Sequence, residues 1–292
     1  MKEAILYKKL NNRKVQCRVC NHYCKINPGK RGVCGVRENK NGKLYSLVYD
    51  RACAENIDPI EKKPFYHFLP GTFSLSIATV GCNFRCHNCQ NWDISQNVKI
   101  AADIIGQELP PEKIVQNAID NNCPSISYTY TEPTIFLEYA LDTMKLARKA
   151  GLKNCWVSNG YMSKESLKLI FPNLDAINVD LKSSDDEFYK KYCNARLQPV
   201  LDNLMAIKKA KVHLEVTTLV IPTLNDEENN LKKIAQFIHG KLGADTPWHV
   251  SRFSGMISWK LQHLPDTPAE TIRRAKEIGE GVGLKRVHLG NI

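Results

Sequence analysis

The chain has 292 residues, a formal net charge of +11, and 43% hydrophobic against 24% charged residues. These proportions are those of a globular protein and exclude collagen-like, disordered and coiled-coil classes, while the length admits one large domain or one large and one small. The uncharged stretch at 68–84 is broken by Pro70, Gly71 and Gly81, and no apolar run follows Met1-Lys2-Glu3. Neither a membrane helix nor a secretory signal is therefore expected, and the expected location is the cytoplasm.

Residues 1–66 carry 15 Lys/Arg against 6 Asp/Glu, whereas 67–292 carry 26 against 24. The first segment thus reads as a separate basic module ahead of a nearly neutral core at 67–292. Such a face suits RNA or another acidic partner, and equally suits a segment whose metal-bound thiolates offset the charge. Eleven cysteines without an export signal point to metal or cluster binding rather than a disulfide scaffold. Four of them, Cys17, Cys20, Cys24 and Cys34, fall in the basic module, with Gly32 and Gly35 beside the last. Zinc, an auxiliary iron-sulfur cluster and no metal all remain open there. His22 is expected in solvent, and the isolated Cys53, Cys123, Cys155 and Cys193 are expected to pack as small apolar residues.

From residue 73 onward strands are predicted over 73–79, 125–130, 154–158, 176–181, 213–221, 248–253 and 286–289. Helices are predicted over 111–121, 134–150, 163–170, 186–209, 226–239 and 268–280. Repeated strand-helix units imply a parallel sheet. In 176–182, alternation puts Asn178, Asp180 and Lys182 on one face and Ile177, Val179 and Leu181 on the other; Glu215 and Thr217 repeat the pattern. Six units with a polar inner face favour an α/β fold of the partial (β/α)6 TIM-like barrel type, preceded by the small cysteine-bearing module, over an open sheet covered on both sides. Gly279-x-Gly281-x-Gly283 follows a helix rather than a strand, so it is expected to end that helix and not to cradle phosphate.

Directly after the first predicted core strand comes Gly81-Cys82-Asn83-Phe84-Arg85-Cys86-His87-Asn88-Cys89. In parallel α/β folds the loops at strand C-termini build the site. Thiolates of Cys82, Cys86 and Cys89 can take three corners of a four-iron cluster and leave the fourth iron open. A zinc site completed by His87 is the weaker alternative, because His87 would have to fold back past its neighbours.

This Cys-x3-Cys-x2-Cys run resembles the signature of the radical S-adenosylmethionine (radical SAM) superfamily. The resemblance implies a four-iron four-sulfur cluster that reductively cleaves SAM to methionine and a 5'-deoxyadenosyl radical, which abstracts hydrogen from a substrate. It also implies SAM contacts at Glu132 of Tyr130-Thr131-Glu132-Pro133, at Asn159 of Ser158-Asn159-Gly160, and at Asp180 and Lys182 of Asp180-Leu181-Lys182. Asn88 departs from the family pattern, which usually has an aromatic residue there, and Val157 stands where the similar glycyl-radical activating enzymes have an aspartate of a cation site. His249 and Arg252 of Trp248-His249-Val250-Ser251-Arg252 are further candidates for SAM or substrate.

The N-terminal cysteines, Gly32-Val33-Cys34-Gly35-Val36-Arg37-Glu38-Asn39 and Asp58-Pro59-Ile60-Glu61-Lys62-Lys63-Pro64 extend the resemblance over most of the chain, to the radical SAM member of the AmmeMemoRadiSam system, related to pyruvate formate-lyase activating enzymes. It implies association with AMMECR1-like and Memo-like proteins, reduced ferredoxin or flavodoxin as electron donor, and a further cysteine-bearing tail beyond Gly290-Asn291, whereas this sequence stops at Ile292. The substrate is left open between a small molecule, RNA and protein. A glycyl-radical activase acting on a protein partner, and a non-enzymatic metal-binding module associated with RNA, are the rival readings.

Overall fold

The structure is a computed structural model and describes residues 1–291. The chain forms two compact units, Met1–Phe84 with Asn91–Ile177, and Arg85–Gln90 with Asn178–Ile292.

The first unit opens with β1 (Lys2–Glu3), β2 (Tyr7–Lys9), β3 (Val15–Cys17), β4 (Lys25–Ile26), β5 (Arg37–Lys40) and β6 (Lys43–Ser46). They make two small sheets, β2-β3-β4 and β1-β6-β5, whose pairs are antiparallel. Asn41 and Gly42 both have positive φ, the conformation a two-residue hairpin turn requires. Buried Asn39 links the two sheets: its Nδ2 donates to the carbonyls of Arg13 and Ile26, and its Oδ1 accepts from the Gly42 N–H.

Next come β7 (Arg51–Ala52), β8 (Ala54–Pro59) and β9 (Phe73–Ala78), then helix α1 (Trp92–Gln96), β10 (Gln107–Glu108), α2 (Pro111–Asp120), β11 (Ser125–Tyr128), α3 (Leu137–Lys149), β12 (Lys153–Ser158) and α4 (Lys164–Ile170). β9 and β11 pair in parallel, as do β11 and β12. β8 is an antiparallel addition on β9 that the sequence reading did not foresee. Its run Ala54-Glu55-Asn56-Ile57-Asp58-Pro59 lacks the apolar alternation that marks a strand, and most of it is exposed or half-exposed. β11 is buried along its whole length and β9 along all but its first residue, as expected of strands covered on both faces. α2 begins with Pro111 at its first turn and buries Ile114, Val115 and Ala118 on one face. α4 is capped by the Ser163 side chain, which accepts from the Ser166 N–H.

In the second unit the strand order is β13-β14-β15-β16, with β13 (Ala176–Asp180) entering from the first unit, then β14 (His213–Val220), β15 (Trp248–Arg252) and β16 (Val287–Gly290). β14 and β15 pair in parallel, and so do β15 and β16. The helices are α5 (Asp186–Phe188), α6 (Gln198–Lys209), α7 (Glu228–Phe237) and α8 (Ala269–Val282). The single helix predicted over 186–209 is therefore corrected to two. After α5 the chain makes a wide π turn, Asn194 takes a left-handed conformation, and α6 restarts with Pro199 in its first turn. Proline has no N–H to continue a helix, so it belongs at a start. Gly283, left-handed, caps α8 and ends it as expected.

Candidate active site

Gly81 leads into the cysteine loop from β9. It has φ +97, and a Cβ there would lie 2.7 Å from both the Cys34 carbonyl oxygen and a Val36 methyl. Only glycine fits, so the start of the loop is pressed against the N-terminal cysteine segment. Beyond it Cys82 is half-buried and its sulfur accepts from the Phe84 N–H at 3.4 Å. Asn83 is wholly buried; its Oδ1 accepts from Asn159 Nδ2 at 2.7 Å, and its carbonyl accepts from His22 Nε2 at 2.9 Å. His22, expected in solvent, is instead half-buried against the Tyr161 ring, and burial lowers its pKa.

The C-terminal ends of β11 and β12 are locked together by Glu132. One carboxylate oxygen accepts from the Thr134 N–H, the Thr134 hydroxyl and Ser158 Oγ, and the other from the Asn159 N–H at 2.8 Å. Four donors saturate a carboxylate, so Glu132 acts as a brace within the chain. Burial pushes its pKa up, opposed by these hydrogen bonds. Asn159 also accepts the Tyr161 N–H on its Oδ1, so both ends of its amide are fixed.

Tyr130 stands just before this brace with φ +62, a left-handed backbone that glycine would adopt freely. Its hydroxyl donates to Asp58 Oδ2 at 2.5 Å, Lys63 Nζ lies 4.2 Å from its ring centre and 2.7 Å from Asp58, and Asn91 Nδ2 donates to its carbonyl. The strain of the backbone is thus held by a clamp drawn from Asp58-Pro59-Ile60-Glu61-Lys62-Lys63 and the residue that follows the cysteine loop.

In the second unit, Cys86 is buried and Cys89 half-buried. Hydrogen bonding to Cys193, then burial, push the Cys86 thiol well above its ordinary pKa. Cys193, fully buried as expected, is thus also a neighbour of a candidate cluster ligand. Lys182 Nζ pairs with Asp180 at 2.8 Å, and its backbone N–H donates to the Tyr189 hydroxyl. Burial works against the Lys182 charge, but Asp180 together with the Cys86 and Cys193 sulfurs outweighs it and holds the ammonium well above its usual pKa. A permanent cation therefore sits within electrostatic reach of Cys86.

The polar inner face is present. Thr217 Oγ1 donates to Asn178 Oδ1 at 2.8 Å, and Glu215, with no exposed surface, accepts from His213 Nε2 at 2.9 Å and from His249 Nε2 at 2.6 Å. The His249 ring also lies against that of His288, with ring centres 5.2 Å apart and planes tilted by 31°. Arg252 Nε donates to the Thr267 carbonyl at 2.7 Å, which leaves the rest of its half-buried guanidinium for other partners. Cys17, Cys20, Cys24 and Cys34 surround a single cavity in the first unit, together with Asn83 and Arg37. Tyr130, Asn83 and Cys193 escaped the sequence reading as site residues. All three are recognisable only through contacts that folding creates.

A parallel α/β protein whose first parallel core strand delivers a glycine-led loop of three cysteines, with a lysine beside one of them, has the donor set of a cysteine-ligated iron-sulfur enzyme. The chain belongs to the radical SAM superfamily, whose family model matches residues 76–235. Membership implies a four-iron four-sulfur cluster and SAM, and the three thiols suit three of the cluster's irons. The chain is 47% identical to an uncharacterized protein of Methanocaldococcus jannaschii, over 100% of this chain and 86% of that protein. It is 24% identical to the pyruvate formate-lyase-activating enzyme of Clostridium pasteurianum, over 54% of this chain and 66% of that enzyme. Among solved structures, a radical SAM methyltransferase from Sphaerobacter thermophilus shares the fold, with TM-score 0.57 and 12% identity over 76% of this chain and 67% of that one. The α/β partial-barrel class expected from the sequence is thereby the fold of this protein. Among the described residues no helix is long and apolar enough to cross a membrane.

Proposed function

We propose that Cys82, Cys86 and Cys89 hold the cluster and leave one iron to SAM, and that the enzyme uses the resulting radical to take hydrogen from a protein substrate. The observation that carries the reading is the Gly81-led thiol loop at the end of β9, followed in chain order by the braced ends of β11 and β12 and the Asp180–Lys182 pair at the end of β13. When bound, the cluster and SAM together supply reductive cleavage of the sulfonium to methionine and a 5'-deoxyadenosyl radical. The chain's own residues bind and orient. Glu132 fixes the strand ends that would receive the SAM amino group, Asn159 is held rigid by the same brace, and Lys182 neutralises carboxylate and thiolate charge near Cys86. Asp180 keeps that lysine in place and charged. Arg252 and His249 line the substrate side, with His249 oriented by Glu215.

Anaerobically reduced protein supplied with SAM should release 5'-deoxyadenosine; oxidised protein should not, and release from both would contradict the reading. Lys182→Met should weaken SAM binding by about 10- to 100-fold, the effect of losing a charge-assisted hydrogen bond worth about 1.5–3 kcal/mol. Equilibrium dialysis of the folded variant checks this, and wild-type affinity would remove Lys182 from the site.

A protein substrate is favoured by the likeness to an activating enzyme for pyruvate formate-lyase. The basic segment 1–66 is then the docking face for an acidic partner, AMMECR1-like and Memo-like proteins being candidates, with reduced ferredoxin or flavodoxin as cytoplasmic electron donor. Turnover of such a partner should fall steeply as salt rises from 50 to 300 mM, because exposed charges are screened, while SAM cleavage without partner should change little. Equal salt dependence of the two rates would rule out docking through the basic face.

A further inference from the structure

The four N-terminal cysteines are not used by that chemistry. Cys17 ends β3, and the chain doubles back so that the Cys17 N–H donates to the Cys24 carbonyl and the Tyr23 N–H to the Cys20 carbonyl, with Tyr23 left-handed at φ 44. Cys34 arrives from the far side of the Gly32–Gly35 turn, in which the Gly35 N–H donates to the Gly32 carbonyl. All four side chains line one cavity of about 10 Å3. That is the space of about one water-sized sphere. A single ion is closer to that space than a four-iron four-sulfur core is.

Two further features of the cavity would match thiolate sulfur. Arg37, almost without exposed surface, is within electrostatic reach of Cys17 and Cys34. Asn83, wholly buried in the cavity wall, accepts the Asn159 Nδ2–H on its Oδ1, while its Nδ2 has no acceptor. A buried donor left unmatched is costly, and a thiolate sulfur in this cavity would match it.

Among the described residues no three His, Cys, Asp or Glu side chains already stand at ion-holding spacing. The thiols would therefore close on the ion by side-chain rotation. An all-thiolate set of four in a space for one atom selects a borderline-soft tetrahedral cation over calcium or magnesium.

We propose that Cys17, Cys20, Cys24 and Cys34 bind one Zn2+, and that Asn83 donates its Nδ2–H to one of the zinc sulfurs. Through Asn83 the zinc site is tied to the loop that carries Cys82 and to Asn159. Zinc is thus a structural support for the catalytic loop, held on the face of Gly81 where the Cys34 carbonyl approaches most closely. This site does not depend on the identity of the catalytic cofactor.

The test uses the full chain with Cys82, Cys86 and Cys89 all changed to alanine, purified anaerobically from medium containing iron and zinc, so that catalytic iron cannot contribute. Metal analysis should give one zinc per chain, and X-ray absorption at the zinc edge four sulfurs at about 2.3 Å. Adding Cys20→Ser and Cys34→Ser should reduce zinc more than tenfold. Should that variant unfold, growth of the folded triple-alanine chain in cobalt-supplemented medium provides the independent reading: intense thiolate-to-cobalt absorption with tetrahedral visible bands supports the site. Iron with sulfide in place of zinc, absence of any metal, or cobalt bands of an oxygen-ligated ion would each overturn it. Asn83→Ala should retain zinc but release it to a chelator several-fold faster; an unchanged release rate would overturn the role given to Asn83.

Discussion

Changing Cys82, Cys86 and Cys89 together to alanine should abolish 5'-deoxyadenosine formation and remove the catalytic iron, while the far-ultraviolet circular dichroism stays that of the parent. The effect is expected to exceed that of any other substitution because these thiolates are the cluster's only proposed protein ligands. Loss of a SAM contact, by contrast, weakens binding by a factor that excess SAM can overcome. Cys82 and Cys89 are half-buried, and at buried Cys86 alanine removes only the sulfur, so the three changes remove little packing. Single replacements should separate the ligands from their neighbour: Cys86→Ala should lose iron and activity, whereas Cys193→Ala should keep iron and change the reduction potential of the cluster through the lost hydrogen bond. Deoxyadenosine release by the triple variant at the parental rate would refute the assignment of the loop.

The strands of the core were legible because β9, β11 and β12 are nearly continuous apolar or small-residue runs, and the polar inner face because Asn178, Glu215 and Thr217 recur at period two. The thiol loop was legible from spacing alone. What escaped depends on contacts distant in sequence. β8 carries no pattern of its own and exists as a strand because β9 offers it an edge. The helix predicted over 186–209 runs through Asn194, where one left-handed residue breaks it, a conformation that Asn adopts more readily than most residues and that the sequence does not mark. Asp180 and Lys182 are expected from the sequence as SAM contacts, and in the structure they pair at 2.8 Å, a contact that sequence spacing does not foretell and that is compatible with that role. The Tyr130 clamp shows the same limit: Asp58 and Lys63 stood out as a motif, but their shared partner lies more than sixty residues away.

Arg37→Met should destabilise the protein by about 3–5 kcal/mol, the cost of leaving a buried carboxylate without its counter-charge. Arg37 and Glu138 are 1% and 2% exposed and meet in a two-pronged contact, Nη1 to Oε1 at 3.0 Å and Nη2 to Oε2 at 2.5 Å. Arg37 Nε also donates to the Ile135 carbonyl, and Glu138 Oε1 accepts from the Ile5 N–H, so the pair fastens the N-terminal sheets to α3 through hydrogen bonds on every face. Burial makes the pair costly to form and far costlier to break. Breaking it alone should lower the midpoint of thermal unfolding by on the order of 10 °C for a chain of this size. Arg37→Met with Glu138→Leu should recover part of that loss, since the buried carboxylate leaves together with its counter-charge and the added side chains are apolar and of similar volume. Calorimetry of the two variants decides the matter: a double variant no more stable than the single one would mean that the ion pair is needed for its geometry and not merely for its neutrality, and a single variant within 1 kcal/mol of the parent would mean that water or a rearranged neighbour already compensates Glu138.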